Sequence, residues 1–274
     1  MNGEIDQVFA QFGFHTSISM VIFTAALVAA RVVPVIVFSP FLGGEVVPPE
    51  VKIGVGVLLS IVLFPAVAER VSYVPHTPLP YILTFAKEVF IGISLGFVVN
   101  MVFDAARVAG NMIDTMGGAQ MAQVMVPMFQ QQTTIYASLK LMLAVTLFLT
   151  INGHHWVIQT LGDSLVLLPV DQFPSFSHGI WGFFDTVMRT FGDMLSVGMS
   201  LAAPAIITSF ITDLGLGMIN RVAPQVQVFF ISMSIKPLAV ALVMMVSVYA
   251  ILGRMQLEFE LMLKHLQDAV RLLV

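Results

Sequence analysis

Apolar runs about as long as a membrane-crossing helix recur along this chain, at Ile18 to Phe38, Val51 to Ala68, Leu79 to Phe103 and Val226 to Leu252. A helix needs roughly 20 such residues to cross the hydrocarbon core of a bilayer. Lipid offers no hydrogen bonds, so backbone groups at that depth must be satisfied inside the protein. Composition agrees with the pattern, since 58% of the residues are hydrophobic and 10% are charged, where soluble domains average about a quarter charged. The chain reads as an all-α integral membrane protein. Its length allows about six to eight helical segments and leaves no room for a sizeable soluble domain.

The formal charge of −4 is spread thinly, and no basic run points to nucleic acid. The chain has no cysteine, which excludes disulfides, thiolate metal sites and cysteine nucleophiles. Its first residues, MNGEIDQVFAQFG, lack the basic start and small-residue cleavage site of a secretory signal. The first apolar run is therefore expected to stay as a helix. The twelve Lys and Arg residues are scattered almost evenly, so the charge rule for topology leaves the orientation open.

Two stretches depart from simple spans. Ile207 to Leu238 places Asp213, Arg221 and Lys236 in strongly apolar surroundings and adds Gly215, Gly217, Pro224 and Pro237. Charges at such positions are expensive and usually face protein or a water-filled cavity, and Gly and Pro predict helices that stop, bend or restart there. Asp104 to Gln132 is interrupted by Gly110, Gly117, Gly118, Gln120, Gln123, Pro127 and Gln130 to Gln132, with methionines at 112, 116, 121, 125 and 128. A loop of that length with its own composition is usually functional or disordered, and the functional reading is preferred. The domain reading is a single helical unit. It has N-terminal helices over 18–103, the Gly/Met/Gln-rich loop over 104–136, further helices over 137–252 and an amphipathic helix over 253–274. That last helix is expected to carry Met255, Phe259, Met262, Leu266, Val270 and Leu273 on one face and charges on the other, lying on a membrane or against partner helices. Asn152-Gly153-His154-His155 is expected to turn a helical hairpin.

Several motifs weigh against their plainer readings. Gly92-Ile-Ser94-Leu-Gly96 matches the serine-hydrolase elbow in form, but that elbow needs a strand before it and a helix after it. In an apolar helix, glycines four apart instead let two helix backbones come close. Adjacent His154 and His155 diverge on a helix and lack the spacing of a zinc pair; they read as a polar turn beside Trp156 at a membrane boundary. Lys87 and Glu88, Asp185/Arg189/Asp193 and Asp213/Arg221/Lys236 are the intramembrane charge groups. They read either as structural ion pairs within or between subunits or as the lining of a transport path.

The ordered set of motifs resembles the FliR/SctT family of type III export-gate membrane proteins. The likeness is strongest at Asp213-Leu-Gly-Leu-Gly217, Asn220-Arg221-Val-Ala-Pro224-Gln225 and Lys236. Upstream it takes in Arg31-Val-Val-Pro34, Pro40-Phe41, Val47-Pro48, Glu88, Gly92, Gly96, Ala109-Gly110, Asp114, Met116-Gly117, Pro127, Asn152-Gly153-His154 and Ala203-Pro204. The Asn-Gly-His-His turn looks more like the flagellar branch than the virulence injectisome branch. Val126-Pro127 departs from the Asp-Pro that many members carry.

The resemblance implies FliP/FliQ-like helical hairpins with broken helices, built into a helical, hetero-oligomeric export gate of a bacterial inner membrane, within the flagellar basal body. The implied partners are FliP-like and FliQ-like gate proteins, FlhB-like and FlhA-like export components, unfolded protein substrates and membrane lipid, with no catalysis and no cofactor. A loop of the chain is implied as a plug of the closed channel, and Gly110, Met116, Gly117, Gly118, Met121, Met125 and Pro127 are its candidates. Lys87, Glu88, Asp213, Arg221 and Lys236 are the candidates for subunit contacts or channel charges. The competing readings are an injectisome gate subunit and, more distantly, a secondary transporter with midplane charges and broken helices.

Overall fold

A computed structural model describes residues 18–42, 47–68, 71, 77–118, 134–174 and 180–272. Among them it has seven α-helices, one short 3-10 turn at Pro40–Leu42 and no strand. The helices are α1 (Ile18–Phe38), α2 (Pro49–Ala68), α3 (Pro78–Met116), α4 (Ile135–Thr150), α5 (Gly153–Leu167), α6 (Ile180–Val222) and α7 (Val228–Leu272). Five of them are long and apolar enough to cross a membrane, and six such spans result if α4 and α5 count together as one. The expected all-α membrane architecture is therefore present.

Local chemistry explains where these helices begin and end. Proline stands first in α2 and α3, where its missing N–H would have had no helical partner anyway. α1 closes at Ser39, whose N–H and hydroxyl both donate to the Val35 carbonyl at 3.1 and 2.6 Å. α3 ends through Gly118 at φ +75°, the left-handed conformation that commonly terminates a helix and favours glycine. Between α4 and α5, Asn152 takes φ 59°, tolerated by Asn because its short polar side chain suits that region. Gly153 then begins α5 against the Phe148 ring, where a Cβ would collide. The Asn-Gly turn lies where the sequence pattern puts it. Several hydroxyls within the helices donate to the preceding turn, as Ser60 does to Gly56 and Thr208 to Pro204, both at 2.7 Å.

Three expectations about helix limits are corrected. α3 continues through Asp104 to Met116, so the first part of the loop expected over Asp104 to Gln132 is helical, and its residues 119–132 lie outside the described residues. Buried Phe103, Ala105, Ala106, Ala109 and Ile113 keep an unbroken helical stripe there, and Asp104 pairs with Arg107 one turn on, at 3.6 Å. Gly215 and Gly217 do not break α6, and within Ile207 to Leu238 the helical run stops once, between Val222 and Val228. Finally, the last span and the amphipathic segment form one helix, α7, in which Met255, Phe259, Met262, Leu266 and Val270 are buried.

The chain divides into two compact units. The first comprises residues 1–100, 154–188 and 263–274. Leu27 and Ile36 of α1, Ile91 and Leu95 of α3, and Leu165 of α5 are among its fully buried side chains. The second comprises residues 101–153 and 189–262. Its centre is a trio of rings, Phe103, Phe148 and Phe259, with centroids 5.1 to 5.2 Å apart. Tilted and edge-on arrangements at that separation are the ones aromatic pairs favour.

Candidate functional site

In the first unit, the intramembrane charges are closed in on one another. Arg31 of α1 and Glu88 of α3 are both fully buried. Arg31 Nη2 donates to Glu88 Oε1 at 2.9 Å while Nε donates to Oε2, a two-pronged pairing that matches the planar guanidinium to the carboxylate. The same guanidinium donates to the carbonyls of Ser164 (2.7 Å) and Leu168 (3.0 Å) at the end of α5. Ser164 is in the last turn of α5 and Leu168 just follows it, at the end of the helix that carries partial negative charge. Lys87 meets Glu88 Oε1 at 2.7 Å and donates to the carbonyls of Val170 (2.8 Å) and Gln172 (2.6 Å). Its ammonium also lies 5.6 Å from the centre of the Phe173 ring. Two cations thus share one carboxylate and four carbonyls, all within the same unit.

The glycine pair four residues further on explains how α1 and α3 come near enough for this. A Cβ on Gly92 would fall on the Arg31 carbonyl, and one on Gly96 would meet Val35 Cα at 3.1 Å. Ser94, between them, donates to the Phe90 carbonyl at 2.8 Å. The elbow-like motif is thus a helix-packing element. Lys87 and Glu88, read either as a structural ion pair or as subunit-contact or channel charges, are engaged with each other and with Arg31 within the first unit.

The second unit holds the opposite arrangement. Asp213 of α6 and Lys236 of α7 form an ion pair at 2.7 Å, with 54% and 22% of their side chains exposed. Around it the hairpin of α6 and α7 displays apolar side chains to the outside, among them Phe210, Met218, Val222, Phe230, Leu238 and Tyr249. Arg221 is exposed at the end of α6. Gly215 and Gly217 have open space where a side chain would stand. Large apolar side chains exposed together in this way mark contact with lipid or other proteins.

The candidate plug residues divide three ways. Met116 ends α3 and is exposed, and Gly117 and Gly118 follow it. Gly110 is in the body of α3, where a Cβ would strike the backbone of Tyr136 and Ala137. It is a close-approach glycine in a helix, not a loop glycine. Met121, Met125 and Pro127 lie outside the described residues.

Two residues that pattern reading did not single out as sites are prominent. Lys140 of α4 is 1% exposed, and its Nζ donates to the Leu201 carbonyl at 3.0 Å. That carbonyl is in the turn before Pro204, on the body of α6. Asp114 of α3 is equally buried and accepts from the backbone N–H groups of Tyr136 (3.0 Å) and Ala137 (3.2 Å). Lys140 sits in an apolar run with an acceptor that leaves no mark in the sequence. Asp114 had a detectable signal, a carboxylate in an otherwise helical stripe.

Residues 22–262 match the family described as Bacterial export proteins, family 1. The chain is 31% identical to the flagellar biosynthetic protein FliR of Pectobacterium carotovorum, over 75% of this chain and 76% of the relative. It is similarly 31% identical to the flagellar biosynthetic protein FliR of Escherichia coli, over 73% and 75% of the two chains. The Yop proteins translocation protein T of Yersinia pestis is 30% identical, over 70% and 73%.

Proposed function

The chain belongs to the bacterial export proteins, family 1, and from that premise we propose that it is a structural and gating subunit of a type III protein export channel. The flagellar branch is the preferred assignment, supported by the coverage of the flagellar relatives. The injectisome branch is the second reading, favoured by the Yersinia relative. In this reading the subunit is not an enzyme. It sits in a bacterial inner membrane among FliP-like and FliQ-like gate proteins, next to FlhB-like and FlhA-like components, and unfolded proteins pass beside it.

The observation that carries the reading is the α6–α7 hairpin. A span meant for lipid alone does not hold an ion pair such as Asp213–Lys236 at its side. A helix buried within its own chain does not leave Phe210, Met218 and Val222 uncovered. A hairpin covered by neighbouring subunits meets both conditions. Asp213, Arg221 and Lys236 then contact those neighbours, and the segment from Met116 through Gly117, Gly118, Met121, Met125 and Pro127 closes the export path.

Affinity purification of tagged protein from its native membrane, with native mass determination, tests this. The expected result is a large complex containing two further small helical membrane proteins, whose identities also decide between the branches. A lone monomer or symmetric homo-oligomer, stable in detergent, overturns the reading in favour of a solute transporter.

A further inference from the structure

α4 does not cap its own N-terminus. Its cap residue, Thr134, has the extended backbone of a capping residue (φ −70°, ψ 124°) yet makes no side-chain capping bond. A local cap would accept the N–H groups of the second and third helical residues, here Tyr136 and Ala137. Both are taken by the carboxylate of Asp114, at 3.0 and 3.2 Å, from 22 and 23 residues earlier in the chain. The Thr134 hydroxyl, released from that duty, donates to Asn111 Oδ1 at 2.8 Å. One turn before Asp114 on the same helix, Gly110 lets the start of α4 lie directly on α3, because any side chain there would collide with the backbone of Tyr136 and Ala137. Gly110, Asn111 and Asp114 thus form one docking face for the first turn of α4, within the second unit.

We propose that Asp114 is a gate-positioning residue, acting as a borrowed N-cap that clamps the start of α4 to the end of α3 and keeps this stem closed while the channel exports. The proposal rests on the export-gate reading above and adds to it a fixed geometry for the two ends of the intervening segment. A carboxylate suits the task because two N–H donors and the positive end of a helix all favour negative charge at that point. The clamp fixes the end of α3 against the start of α4. Opening the channel then leaves these stem bonds intact.

The test uses the full complex in membranes, and the absence of native cysteine keeps it clean. Asn111→Cys and Thr134→Cys are introduced together and joined by oxidation or a short thiol-reactive linker. The expected result is efficient crosslinking and export within about twofold of the reduced form, since a stem that stays closed is unaffected by being locked. Export that stops on crosslinking and returns on reduction overturns the proposal, as does a failure to crosslink at all. A second arm separates clamping from helix capping alone. Asp114→Ala is expected to raise leakage of small solutes about fivefold, the population change that loss of one cap produces. Asp114→Ala combined with Thr134→Asp supplies a local cap without the tether and is expected to stay leaky. Wild-type tightness in that double variant overturns the clamp. If deletion of the whole chain leaves export intact, the export-gate reading fails, whichever way the crosslink behaves.

Discussion

Arg31–Glu88 and Asp213–Lys236 are both ion pairs between helices that an apolar profile assigns to the membrane, and they are opposites in setting. The first is fully buried, two-pronged, and surrounded by carbonyls that use its remaining donors. The second is more than half open on its acidic side and ringed by uncovered apolar residues. Charge in an apolar helix therefore has two separate meanings here. One group of charges holds the chain's own helices together inside a closed cluster, and the other pairs on a side that stays open.

Breaking the buried group gives the largest expected effect. Glu88→Ala leaves Arg31 and Lys87 without their shared carboxylate, and loss of one partner in a buried pair costs about 3–5 kcal/mol. Protease resistance of the membrane-inserted chain, expressed without partner subunits, is expected to collapse. Gly92→Leu comes next, since any side chain there meets the Arg31 carbonyl, and overpacking of this kind costs about 1–3 kcal/mol. The same protease assay is expected to show a smaller loss, with α1 displaced from α3. A Gly92→Leu chain as resistant as the parent would mean that the close helix approach is dispensable.

Asp213→Asn sharpens the comparison from the other side. An exposed pair contributes about 0–1 kcal/mol to a chain's own stability, so protease resistance is expected to hold. Recovery of partner subunits in a pull-down is expected to fall. If Asp213→Asn destabilises the isolated chain as much as Glu88→Ala does, the division into folding charges and assembly charges is wrong. Gly215→Ala has the smallest effect. Open space surrounds the position and alanine favours a helix over glycine by about 1 kcal/mol. The isolated chain is expected to be unchanged or slightly more stable, as read by its melting temperature in detergent.

Hydropathy was enough to place most of the helices, because membrane spans are declared by length and apolar content alone. The turn at Asn152-Gly153 was legible because Asn accepts the positive φ found there, and the break at Pro224 because proline has no N–H for the helical ladder. Gly215 and Gly217 were misread as breaks. Glycine lowers helix propensity, but in surroundings with no competing hydrogen bonds the helical ladder persists through it. Asp104 and Arg107 looked like the edge of a loop and are instead paired one turn apart on a continuing helix. The inward turn of Lys87 and Glu88 depends on carbonyls at Val170 and Gln172, and every residue has a carbonyl. No pattern in the chain distinguishes those that will serve as acceptors, and the same holds for Leu201 opposite Lys140.

The sequence separation within the Arg31 cluster has a consequence for biogenesis. Arg31 precedes Glu88 by 57 residues and the Ser164 carbonyl by 133. At ribosomal speeds of about 5–20 residues per second, α1 waits roughly 7–27 s for the end of α5 to emerge. Throughout that interval a guanidinium destined for the interior has no complete set of acceptors, so α1 is held at the insertion machinery or lets Arg31 reach for the water interface. The first unit also includes residues 263–274, so its packing waits for a segment made about a hundred residues after α5.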